Sequence, residues 1–211
     1  MEGRIDERIG RAGRVALRTG AIRRVRAGTA LITIRPAAGV ESVCAVIAGQ
    51  GVIGGIADTQ LIQAAGKVDL GSNILLRFYT DDEAWLQIVC EGGETEECIV
   101  DATLFHYYDT LNVNVNEWDD ILKHKSGVPT YLIEGNEYQR VWTSTASYHP
   151  PVAMQEKTYD HSDDITQTDQ FVMLYERQLE GDETETLLVT AEEKLINNNF
   201  DRCLVISTGF N

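Results

Sequence analysis

The side chains best suited to chemistry fall in a few short stretches. Gly49, Gly51 and Gly54 spell G-x-G-x-x-G after the apolar run Val43 to Ala48, and Asp69 lies twenty residues beyond the first glycine. In a dinucleotide site such glycines let a pyrophosphate approach the amides of a helix N-terminus, and the acid takes a ribose hydroxyl. Asp160, His161, Asp163 and Asp164, and separately His106 with Asp109, offer oxygen and nitrogen donors to a divalent cation. Glu94, Glu96 and Glu97 crowd one turn. A different chemistry is carried by Arg77, Tyr79 and Trp85, by Arg140 and Trp142, and by Tyr175 and Arg177: guanidinium and aromatic groups recognise carboxylates and planar partners, and Asp81 and Asp82 beside them would hold cations. These nine residues are the candidate ligand- or partner-binding set.

The elements that must position these groups decide which chemistry survives. Val68-Asp69-Leu70-Gly71 opens a hairpin almost directly after the glycine motif, leaving no succession of strand, helix and strand to build a parallel sheet. Gly49 to Gly54 therefore reads as a glycine-rich turn, and no cofactor is expected. Neither acidic group has a recognised ligand spacing, and no nucleophile elbow, phosphate loop or H-E-x-x-H is present, so neither a metal nor a catalytic residue is assigned.

Ile74 to Tyr79, the polar break Thr80 to Glu83, and Trp85 to Val89 predict a hairpin, with Leu76 and Phe78 in the core and Arg77 on the wet face. Phe171 to Tyr175, Glu180-Gly181-Asp182 and Leu187 to Val189 repeat that pattern about a hundred residues later. Cys98 to Tyr107 is answered by Arg202 to Thr208. This echo reads as an internal duplication, two β-rich halves with the nine candidate residues lining a cleft between them. Asn114 or Asn116 caps a helix through Glu117 to Lys123, which Gly127 and Pro129 stop. Pro129 to Ile133 and Glu137 to Trp142 form a further hairpin about Gly135-Asn136, Val152 to Tyr159 is a strand, and Ala191 to Asn199 is a polar link.

The chain has 211 residues, 43% apolar and 24% charged, a globular composition. Its net charge is −15, unevenly placed: residues 1 to 35 hold nine arginines against three acids, leaving −21 on the remaining 176. Arg4, Arg8, Arg11, Arg14 and Arg18 recur at helical spacing, a pattern suited to docking on the acidic body, a partner or an anionic membrane surface. Nucleic acid is excluded as a partner for the acidic body, which repels phosphate. Cys44, Cys90, Cys98 and Cys203 make no C-x-x-C pair and read as buried thiols. No apolar run reaches the length of a spanning helix and no secretory signal is evident, so a cytoplasmic location is expected.

Several segments carry a family resemblance: Ala65 to Gly71, Leu76 to Asp82, Leu104 to Asp109, Tyr138 to Trp142, Thr168 to Arg177 and Arg202 to Gly209. In these, from about residue 15 to its end, the chain resembles the bacterial YjfK-like family of uncharacterised proteins. The resemblance implies no activity and no catalytic residues. Because members are commonly encoded beside relatives of a phage-shock membrane-stress protein and an ATP-grasp ligase, it implies an accessory role in an envelope-stress or peptide-ligation system.

The expectation is a β-dominated α+β fold: antiparallel sheets in two similar halves and one helix near residues 115 to 125. The basic arm spans residues 1–14, the first half with its helix 15–126 and the second half 127–211. The preferred function is a non-enzymatic interaction module whose acidic body binds a basic protein, such as a membrane-stress protein, with peripheral membrane contact available to the arm. The alternative is an enzyme or binder taking a small polar, polyamine-like ligand in the cleft. Oligomeric state is not legible from the residues.

Overall fold

A computed structural model describes residues 42–43, 60–81, 83–142, 146–160, 165–181 and 183–210. Along these the chain forms β1 (Ser42–Val43), β2 (Gln60–Asp69), β3 (Asn73–Thr80), β4 (Ala84–Glu91), β5 (Ile99–Asn112), α1 (Val115–Asp120), β6 (Thr130–Ile133), β7 (Asn136–Arg140), β8 (Val152–Tyr159), β9 (Ile165–Gln178), β10 (Thr184–Ile196) and β11 (Asn199–Phe210). The hydrogen-bonded order is β1-β2-β3-β4-β5-β11-β10-β9-β7-β6, and β8 pairs with both β2 and β9. The pairings from β2 through β5, β11, β10, β9 and β8 thus return to β2, the connectivity of a closed eight-stranded antiparallel barrel.

This overturns the expectation of an α+β fold made of two duplicated halves. The two similar hairpins, β3–β4 and β9–β10, belong to one hydrogen-bonded circuit, with β5 and β11 between them, rather than seeding separate sheets. Their strands run 8 and 8 residues in the first and 14 and 13 in the second. An apolar–turn–apolar pattern reports a half-buried hairpin of any origin, which is why the echo misled. The anticipated helix is present but short: α1 covers six residues and continues as a π-turn over Ile121–Lys125. The glycine motif, the arginine-rich arm and Cys44 lie outside the described residues.

The described residues divide into two compact units, one within the bounds Met1–Thr103 and Lys157–Thr166, the other within Leu104–Glu156 and Gln167–Asn211. In the first unit β3 is framed by β2 and β4. The registers Phe78↔Leu86, Leu76↔Ile88 and Ile74↔Cys90 put one apolar set on one face. Val68, Leu75 and Trp85 fall on the other. Leu75 through Phe78 are consecutively buried, so β3 is covered on both faces. Arg77, expected in water, is 3% exposed, because a strand buried on both sides has no wet face for alternation to supply.

The second unit centres on one face of β9, β10 and β11, where Met173, Tyr175, Leu187, Val189, Leu204 and Ile206 meet Trp118 and Ile121 from the helix and Tyr138 from β7. The helix starts where the sequence dictates. The Asn114 side chain accepts from the Asn116 and Glu117 amides at 3.0 and 3.1 Å, and Glu117 reaches back to the Asn114 amide at 3.2 Å, a reciprocal capping box. Trp118 then meets Phe171 edge-on at 5.8 Å between ring centres. After the helix, the Tyr175 hydroxyl donates to the carbonyls of Ser126 and Val128 at 2.9 and 3.2 Å. Arg140 donates to the carbonyls of Gly127 and Ala146, and the His149 amide donates to the Gly127 carbonyl at 2.9 Å. Gly127 has no room for a side chain, since a Cβ there would overlap the His149 carbonyl.

Candidate interaction surface

Both two-residue hairpin turns of the second unit have positive φ at both central positions: Glu134 (49°) and Gly135 (81°) between β6 and β7, Asn197 (51°) and Asn198 (63°) between β10 and β11. That backbone twist matches the twist of the flanking strands and favours glycine and asparagine. Glu134 rather than Asn136 occupies the turn anticipated about Gly135-Asn136. The segment Ala191 to Asn199, read as a polar link, is the end of β10 and the tight turn into β11. Its acids and lysine alternate along paired strands instead of marking a break.

Beyond the last β9 partner, Asp169 opposite Glu193, and the last β5 partner, Asn112 opposite Cys203, the β10–β11 ribbon continues. Leu195 stands opposite Phe200 at its end. These two side chains are 60% and 58% exposed. At the root of this tip Arg202 pairs with Glu193, and its guanidinium lies 5.1 Å from the Trp118 ring centre and 5.2 Å from that of Phe200. Val115, one helical turn before Trp118, is exposed as well. The outer face of the second unit therefore passes from a packed core, through one arginine, to an open apolar tip.

The opposite end of the same face is closed. Arg177 pairs with Glu185 opposite it in register, lies 5.1 Å from the Tyr138 ring centre, and Tyr138 donates to Glu185 at 2.7 Å. Burial, then the Glu185 carboxylate, pushes the Tyr138 phenol up to about 12. On the reverse face of the strands, Gln170 donates to Glu156 at 2.8 Å and to Glu192 at 2.9 Å, and the Cys203 thiol lies 3.9 Å from Glu192. Burial, then Glu192, pushes that thiol up to about 11, and burial acts the same way on Cys90. Such thiols are protonated and unreactive at neutral pH. Cys90, Cys98 and Cys203 are free, with Cys90 buried and the other two half-buried.

The nine candidate residues separate into groups. In the first unit Arg77 donates to Gln87 at 3.1 Å and sits 5.0 Å from the Trp85 ring centre, with Tyr79 6.0 Å from Trp85. Asp81 is exposed, and Asp82 lies outside the described residues. In the second unit Arg140 and Tyr175 face each other in register and both bond to the Ser126–Val128 segment or its neighbours. Burial raises the Tyr175 phenol. Trp142 packs half-buried against the core, and Arg177 serves Glu185. Among the described residues no three His, Cys, Asp or Glu side chains are grouped to hold a metal ion; of the acidic run, only Asp160 is described. Glu94 instead pairs with Lys67. The partners Glu185, Tyr138, Arg202 and Phe200 escaped sequence reasoning. The usable signal was an Asn-Asn pair between strand-forming runs.

Residues 44–211 match a family described as "Protein of unknown function (DUF2491)". The chain is also 30% identical over 136 residues to "Uncharacterized protein YjfK" of Escherichia coli strain K12, a match covering 63% of this chain and 62% of that protein. The chain thus aligns with less than two thirds of that relative's length. No solved structure matches. Among the described residues no helix is long and apolar enough to cross a membrane.

Proposed function

We propose that this chain, which belongs to the family described as a protein of unknown function (DUF2491), acts as a non-enzymatic interaction module whose acidic body takes a basic protein partner. The observation that carries this reading is the pairing of a strongly acidic chain, −15 overall, with large apolar side chains exposed on the outer face of the second unit. A surface that is apolar at its centre and charged around it is how protein interfaces are built. An accessory place for such a module in a bacterial envelope-stress system is part of this proposal and comes only from the gene neighbourhood that the YjfK-like resemblance implies.

Cross-linking in the native host followed by reconstitution with the purified partner tests this. The expected partner is basic, binds at low salt and dissociates as salt screens the attraction. A chain recovered alone at low salt, or one that binds spermidine in calorimetry while ignoring basic proteins, overturns the reading in favour of a small polyamine-like ligand.

A further inference from the structure

We propose that the projecting tip of the β10–β11 ribbon is the contact element of this module, and that it seats against a partner segment whose apolar side chains are flanked by lysine or arginine. The inference rests on the interaction-module reading and adds to it the surface and the chemistry of the occupant. Three observations converge on the tip. Neither β9 nor β5 follows the ribbon past Glu193 and Cys203, apart from one bond from the Val113 amide to the Arg202 carbonyl at 2.9 Å, so residues 194 to 201 stand clear of both neighbours in the sheet. Leu195 and Phe200 form an exposed cross-strand pair on one face, and Ile196 is exposed on the other. The Asn197–Asn198 turn, with both residues in the left-handed region, fixes the ribbon end in one twisted geometry, so little ordering has to accompany binding.

Charge selects the occupant. Within the ribbon Lys194 lies opposite Asp201, and Glu193 pairs with Arg202, so the tip offers apolar surface with its own charges matched. Helix α1, whose Trp118 shares Arg202 with Phe200, has its acids matched as well, Asp119 pairing with Lys123 and Asp120 with Lys125, so the field that selects the occupant is that of the net charge of −15. A second copy of this chain would bring another −15, and an anionic bilayer repels an acidic body. A basic and apolar segment answers both the exposed side chains and the surrounding field.

The test uses the full chain and a labelled amphipathic leucine–lysine peptide, read by fluorescence anisotropy at low salt. Two variants are compared, Leu195→Ser with Phe200→Ser at the tip and Leu132→Ser on β6, whose side chain is 68% exposed elsewhere on the second unit. The tip variant is expected to lose at least tenfold in affinity with an unchanged melting temperature, and the β6 variant to keep wild-type affinity. Equal binding to wild type and tip variant overturns the tip assignment while leaving the acidic module intact. Failure of any basic peptide or basic protein to bind sinks the module reading itself. Tip-dependent association with phosphatidylcholine vesicles, or tip-dependent dimerisation in sedimentation, without tip-dependent peptide binding, also overturns the proposal by reassigning the occupant.

Discussion

The β6–β7 and β10–β11 hairpins of the second unit share a two-residue turn with both φ values positive, yet they meet opposite fates. Tyr131, Ile133 and Tyr138 of β6–β7 lie down on the core, leaving Leu132 outward, whereas the end of β10–β11 runs past the sheet and keeps Leu195 and Phe200 in solvent. Local turn chemistry is the same in kind; what differs is whether an arginine and a loop fasten the hairpin. Arg140 on β7 reaches the carbonyls of Gly127 and Ala146, tying its hairpin to the segment after the helix. Arg202 on β11 turns instead to Trp118 and Phe200 at the root of the tip. Turn type sets the twist of a ribbon, and side-chain anchoring decides whether it belongs to the core or to the surface.

The largest expected effect comes from opening the core cluster behind the β10–β11 ribbon. Trp118→Ala empties the contact with Phe171 and Arg202 and should cost about 3 to 5 kcal/mol in denaturant unfolding. Gly127→Ala attacks the anchored hairpin alone. The added methyl overlaps the His149 carbonyl, and the expected cost is about 3 kcal/mol, the scale of other disruptions of tightly packed backbone. A melting curve matching wild type would show that the anchoring loop is dispensable. Alkaline pH probes the ribbon root more gently. Cys203 is raised in the folded chain from 9.0 to about 11, so its contribution is fully present below pH 9 and is lost as pH rises through 11. Unfolding followed across that window should therefore show declining stability, with a shallower decline in Cys203→Ala. Asn114→Ala removes the capping box and should cost about 1 kcal/mol. Serine at both Leu195 and Phe200 is the smallest perturbation, within about 0.5 kcal/mol of wild type, because these side chains bury little on folding. A loss of several kcal/mol there would mean that the tip is structural and the contrast between the hairpins false.

What the residues revealed in advance follows from how locally each feature is determined. The helix start was legible because a cap is local, with Asn114 one of two candidates, although the reciprocal box with Glu117 went unread, and the β3–β4 hairpin was legible because its turn and apolar runs are contiguous. The resemblance to the YjfK-like proteins was legible from short motifs and agrees with the family match. Closure of the strand circuit was not legible, since it depends on pairings such as β8 with β2 that no local pattern encodes. Arg77 and Arg177 stood out as chemically capable, but groups that accept from them sit across strand registers, the Gln87 amide for one and the Glu185 carboxylate for the other. The ribbon tip was misread because Glu192 to Lys194 and Asn197 to Asn199 look like a solvated connection when their cross-strand partners are unknown.

One seam in the circuit also has a consequence in time. β5 meets β11 with Leu104 opposite Phe210, whereas β4 reaches β3 across a three-residue connection. Chain entropy opposes the first closure far more than the second, so the nearby hairpins can zip while β5 still lacks its neighbour. In refolding experiments hydrogen exchange should protect the amides of β3 and β4 early. The amides of β5 facing β11 should be protected in a later, slower phase that sets the overall rate.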